Sequence, residues 1–120
     1  MQESGEMYIE TIHILSQKSD SVRSIDVAKF RGFSKASVSR AMSVLKSEGY
    51  ISIDSKGNIT LEPPGLKIAT SMYERHNVLA QMLMRLGVNE ETATSDACKM
   101  EHVISEESFE AIKCHMNKSM

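Results

Sequence analysis

Apolar residues recur at helical spacing from the start of the chain: Tyr8, Ile9, Ile12 and Leu15 mark one face of a first amphipathic helix over residues 6–17. A second, shorter helix is expected from Ile25 to Arg31, capped by Ser24, with Val27, Ala28 and Phe30 facing inward. Gly32-Phe33 makes a tight turn. Ser34 then caps a third helix reaching about Glu48, with Val38, Ala41, Met42 and Leu45 as its buried stripe and Gly49 as its stop. The period next changes from helical to alternating. Tyr50-Ile51-Ser52-Ile53 and Asn58-Ile59-Thr60-Leu61 flank Asp54-Ser55-Lys56-Gly57, which is a hairpin pattern, and a hairpin directly after helix, turn, helix is a wing. Beyond Pro63-Pro64-Gly65 a long helix runs to about Arg85, offering Ile68, Met72, Leu79, Met82, Leu83 and Leu86 for burial. Gly87 ends it. Asn89 with Glu90 and Glu91 opens a fifth helix, and Ser105-Glu106-Glu107 opens a last one carrying Phe109, Ile112 and Met116.

The expected fold is mainly α: a winged helix-turn-helix with a small β-hairpin wing over residues 1–62, followed by a helical domain over residues 63–120. A chain of 120 residues, 41% hydrophobic, supports two subdomains sharing a core rather than two independent cores. It carries more apolar helix than so small a core covers, so the helices after Pro64 are expected to pair with a second chain. No apolar run approaches the roughly 18 residues of a membrane span. Cys98 and Cys114 are too few for a disulfide framework, and no signal peptide precedes the first helix; a reducing cytoplasm is the expected setting.

Net charge of -2 excludes a generally basic nucleic-acid binder, but the sum hides an asymmetry. Residues 1–17 hold three acids and no Lys or Arg, residues 18–56 eight bases against four acids, and residues 57–120 six bases against nine acids. The positive field is thus confined to the stretch that holds the helix-turn-helix and wing, where a DNA-facing surface belongs. Within it, Ser34, Lys35, Ala36, Ser37, Ser39 and Arg40 crowd small hydroxyls and two bases at a helix N-terminus, the end that meets base edges in helix-turn-helix docking. Lys56 is the matching base on the wing. Any one of these residues suits a solvated, capped helix; the set with the wing points to double-stranded DNA.

A second chemistry lies outside this stretch. Cys98, Glu101 and His102 stand at i, i+3 and i+4, so a helix places them on one face. A thiolate, a carboxylate and an imidazole together suit a transition ion better than calcium or magnesium, which favour all-oxygen shells. Glu6-Met7-Tyr8-Ile9-Glu10 reads as the other half of such a site. Taken singly, His76 on its helix reads as an ordinary histidine and Met7 as core, and Cys114, His115 and His13 read as structural residues.

The Glu6–Glu10 opening, the winged helix with Ser34 to Arg40, Arg75-His76, and above all Ala97-Cys98-Lys99-Met100-Glu101-His102-Val103-Ile104-Ser105 resemble the iron- and manganese-responsive repressors of the diphtheria toxin repressor family. The resemblance covers nearly the whole chain in a short form lacking the SH3-like domain of longer relatives. It implies a homodimer that binds operator DNA when loaded with a divalent ion and represses metal-uptake genes. Carried over by position, Met7, Cys98, Glu101 and His102 match the iron-type ligand set, while Glu10 and His76 resemble manganese-type ligands. The implied site is a hybrid, with Fe(II) the first expectation, Mn(II) the second, and Zn(II) or Co(II) as ions it takes in vitro. Where the iron type places two further donors, this chain has Ala80 and Thr94.

An ion held by Met7 and Glu10, by His76, and by Cys98, Glu101 and His102 ties the winged helix to the dimer helices, so metal is expected to act as the allosteric ligand for DNA. No small organic ligand and no membrane partner is implied. The competing expectation is a metal-independent winged-helix repressor whose metal site is structural or vestigial. A zinc enzyme is disfavoured, since there is no His-Glu-x-x-His motif and the DNA-binding module would go unexplained.

Overall fold

The computed structural model describes residues 2–118. In chain order it consists of α1 (Glu3–Lys18), α2 (Ser24–Arg31), α3 (Lys35–Ser47), β1 (Ile51–Ile53), β2 (Ile59–Leu61), α4 (Pro63–Arg85), α5 (Glu90–Val103) and α6 (Glu106–Lys118). Every expected element is present in the expected order, with local differences. α1 begins three residues early. α2 begins at Ser24, not after it: Arg23 is the N-cap, and the Asp26 carboxylate accepts from the Arg23 backbone N–H at 2.9 Å. Ser34 and Asn89 cap α3 and α5 as expected, accepting from the N–H groups of Ser37 and Thr92.

The chain packs as two units, one through Thr70 and one from Ser71. The core of the first is built from Ile9 and Ile12 of α1, Val27 and Ala28 of α2, Val38, Met42 and Leu45 of α3, and Val22, Ile51, Ile59 and Ala69. Ala69 is wholly buried and Ile68 packs beside it, which is why the first turns of α4 belong here although the sequence divides more naturally at 62/63. Phe30, expected inside, is 44% exposed, because a helix of eight residues buries a single narrow stripe and Val27 and Ala28 fill it.

The wing is an antiparallel pair in the register Ile51↔Leu61, Ser52↔Thr60 and Ile53↔Ile59. The Asp54 carboxylate organises its tip, accepting from the backbone N–H groups of Lys56 at 2.8 Å and Asn58 at 2.9 Å. These bonds, that from Asn58 foremost, hold its pKa below the ordinary value of 3.8. Two contacts fasten the wing to the helix-turn-helix: Ile59 N–H donates to Val22 O at 2.7 Å, and the Arg23 guanidinium donates to the Lys56 carbonyl.

Gly65, in the first turn of α4, lies against the Tyr50 carbonyl so closely that a Cβ has no room. Gly65→Ala is therefore expected to lower stability by about 1–3 kcal/mol through overpacking against backbone that cannot rotate away. Chemical denaturation measures it, and an unchanged midpoint would contradict the packing described.

In the second unit Leu79, Ala80 and Ala97 form the buried centre, with Met82, Met100, Ile104 and Ile112 packed against it. Leu86, expected inside, is 74% exposed; Tyr73 and Val103 are 60% and 73% exposed. No helix among the described residues is long and apolar enough to cross a membrane.

Candidate metal centre and DNA-reading surface

Ala93, Ala97 and Glu101, spaced by four, form the buried stripe of α5, so the inward face ends in a carboxylate at the C-terminal end of the helix. Glu101 is completely buried there. A buried carboxylate requires cationic or hydrogen-bonding company. His76 of α4 brings Nδ1 to 3.1 Å from one carboxylate oxygen, and His102 brings Nε2 to 3.4 Å from the other. The ligand atoms of Cys98 and Glu101 lie within 4.8 Å of one another. The second unit therefore gathers His76, Cys98, Glu101 and His102, four of the six residues singled out as ligands.

The other two lie on α1. Glu10 is buried, and its carboxylate lies 3.7 Å from Arg31 Nη2 at the end of α2. Arg31 Nε donates to Thr11 Oγ1 at 2.6 Å, and the Thr11 hydroxyl donates in turn to the Met7 carbonyl at 2.8 Å. Met7 is half-buried, with its sulfur 4.0 Å from the same hydroxyl. The Met7–Glu10 stretch is thus fastened to the last turn of α2, directly before α3.

The donor chemistry fits a divalent transition ion. Two imidazoles and a thiol around one buried carboxylate form a mixed nitrogen, sulfur and oxygen set, and the burial of Glu101 supplies a negative charge for a cation to neutralise. Ala80, by contrast, is a core methyl beside Leu79 and Thr94 is exposed, so the further iron-type donors have no counterpart at those positions.

On the first unit, Ser34, Lys35, Ala36, Ser37, Ser39 and Arg40 are all exposed, while Val38 between them is completely buried and anchors α3. Ser34 Oγ accepts from the Ser37 N–H at 3.2 Å and donates to Ser37 Oγ at 2.9 Å, so these two hydroxyls serve the cap as well as the surface. Lys56 is exposed on the wing. The whole predicted DNA face is open to solvent.

Sequence reasoning passed over Arg31, Arg75 and Arg23, whose roles depend on partners 20 or more residues away. Arg75 was visible as the neighbour of His76, which was the one signal available.

Comparison with known proteins decides what this combination is. The model described as iron dependent repressor, N-terminal DNA binding domain, matches residues 1–58, and that described as iron dependent repressor, metal binding and dimerisation domain, matches residues 62–119. The transcriptional regulator MntR of Escherichia coli O6:H1 is 32% identical over 111 residues, 92% of this chain and 72% of that protein. The chain belongs to the DtxR/MntR family. It is a metal-dependent, DNA-binding transcriptional repressor of that family. An uncharacterised HTH-type transcriptional regulator of Methanocaldococcus jannaschii is 29% identical over 120 residues and matches 98% of this chain and 96% of its own. Among solved structures, a manganese-dependent transcriptional repressor in complex with manganese superposes with a TM-score of 0.86 at 23% identity, covering 94% of this chain and 52% of its own, so this chain spans about half the length of that protein.

Proposed function

We propose that the chain represses metal-uptake genes by binding their operators as a homodimer in the cytoplasm when it holds Fe(II), or secondarily Mn(II). The observation that carries this reading is Glu101, buried between His76 and His102 with Cys98 close by, in a chain that also exposes a basic recognition helix. His76, Cys98, Glu101 and His102 would hold the ion, and the family pattern adds Met7 and Glu10. When bound, the ion supplies a fixed positive charge that binds several side chains at once. The protein supplies the rest: Glu101 brings the charge, the imidazoles and thiol set the preference, and Arg31 joins the Met7–Glu10 stretch to the helix-turn-helix.

Exposed Tyr73, Met84, Leu86 and Val103 support a second copy as the partner of the helical unit. A two-fold dimer presents its recognition helices to half-sites ~34–36 Å apart, and this spacing makes operator binding sensitive to small conformational changes. Coupling of ~1–3 kcal/mol between ion and operator corresponds to roughly 5–150-fold tighter DNA binding, and by reciprocity DNA tightens ion binding equally.

Selection from random duplexes with and without Fe(II) tests this. The expected product is a two-fold symmetric sequence enriched only with metal. Enrichment of the same sequence in chelator would instead favour a metal-independent repressor with a vestigial site.

The preference between ions has its own test. Met7→Asp replaces a soft thioether by a hard carboxylate and should move relative activation from Fe(II) toward Mn(II). DNA binding titrated with each ion measures it, and an unchanged ratio counts against Met7 as a ligand.

A further inference from the structure

We propose that Arg75 is the positioning residue of the metal centre, setting its affinity and ion preference without touching the ion. The inference rests on the reading of His76, Cys98, Glu101 and His102 as ligands and adds what holds them in place.

Arg75 and His76 are consecutive on α4, so their side chains leave the helix about 100° apart and reach different parts of α5. His76 reaches the Glu101 carboxylate at 3.1 Å. Arg75 reaches the backbone around it: Nη1 donates to the Glu101 carbonyl at 3.3 Å and to the Ile104 carbonyl at 2.9 Å. These are carbonyls at the C-terminal end of α5, where a helix leaves acceptors without intrahelical donors and where a cation is favoured by the helix dipole. Nη2 donates to Glu106 at 2.7 Å, and the guanidinium lies over the Phe109 ring at 5.3 Å, both on α6. One side chain on α4 thus fastens the turn carrying Glu101 and His102 and the start of the next helix.

The guanidinium is largely enclosed and does not lie spread on the surface. Its Nε is buried and has no hydrogen-bond partner among the described residues. A surface arginine would avoid that desolvation by turning to water. The planar fork is also required, because a single ammonium cannot meet two carbonyls and a carboxylate in the same geometry. Groups that orient metal ligands without touching the metal commonly govern affinity.

The test is an anaerobic titration of the full-length chain with Co(II) alone, read by the thiolate-to-cobalt charge-transfer band and the ligand-field pattern. Arg75→Gln should weaken Co(II) binding about 10–100-fold and alter the ligand-field pattern. Arg75→Lys should recover only part of the affinity, and Glu106→Gln should stay close to the native protein because the Glu106 carboxylate is largely solvent-exposed. Phe109→Leu controls for packing: it removes the ring beneath the guanidinium and no hydrogen bond.

Native affinity and spectrum in Arg75→Gln overturn the proposal and leave the metal centre standing. Equal weakening in Phe109→Leu at the same loss of Tm also overturns it, since general destabilisation then accounts for the effect. Absence of a charge-transfer band with ligand-field bands retained removes Cys98 alone as a ligand and leaves the Arg75 comparison to the affinity; absence of any Co(II) binding by the native protein overturns both the metal-centre reading and the role of Arg75. Should Arg75→Gln fail to fold, Arg75→Lys carries the comparison: native affinity in that variant overturns the proposal.

Discussion

Glu101→Gln should weaken divalent-ion binding by roughly 100-fold or more, a loss of about 2.7 kcal/mol, while leaving the metal-free fold intact or slightly stabilised. The two effects have opposite signs because Glu101 is completely buried. Glutamine has the same shape and still offers hydrogen bonds to His76 and His102, but it removes a negative charge whose burial is unfavourable without an ion. The same change removes the charge that attracts the ion. At an ion concentration about 100 times the native Kd, binding stabilises the native chain by about 2.7 kcal/mol; a 100-fold weaker variant gains only about 0.4 kcal/mol under the same conditions. Thermal unfolding with and without Mn(II) reads both signs at once. An undiminished metal-induced rise in Tm would show that Glu101 is not a ligand.

Replacing Lys35 and Arg40 by alanine should abolish tight operator binding without changing ion affinity. Both are exposed on α3, and the buried Val38 between them keeps the helix anchored in the variants. Each substitution is expected to cost about 1–3 kcal/mol where the side chain meets a base edge. Where it meets a phosphate, the salt dependence of log K should flatten by about one unit per contact. Fluorescence anisotropy at several salt concentrations separates these roles. Retained affinity and slope in the double variant would remove α3 from the DNA interface.

The elements were legible because each is punctuated locally. Ser34 and Asn89 cap helices, Gly32 and Gly49 adopt positive φ where the chain turns, and the Ile51–Leu61 hairpin alternates as a strand pair must. Ser24 was misread as a cap because Ser is favoured there, whereas Arg23 with Asp26 makes the start through a backbone hydrogen bond. Phe30 and Leu86 were misassigned to the interior for a related reason: periodicity identifies an apolar face but not how much of it the small core covers.

The candidate site divides similarly. Cys98, Glu101 and His102 were readable as one helix face, and His76 gained its meaning from the resemblance and from its 3.1 Å approach to Glu101. The Arg31–Glu10 and Arg75–Ile104 contacts were hidden, since nothing in either local sequence says which distant group a guanidinium meets. Long-range positioning of the candidate ligands is what the fold adds.

The central claim is that ion and DNA are coupled through this chain. The direct measurement is anaerobic binding to the DNA upstream of its own gene, titrated separately with Fe(II), Mn(II) and Zn(II) and compared with a chelated control. The account predicts roughly 5–150-fold tighter binding with metal and Fe(II) as the most effective physiological ion. Equal, sequence-specific binding in chelator and in saturating metal would contradict it.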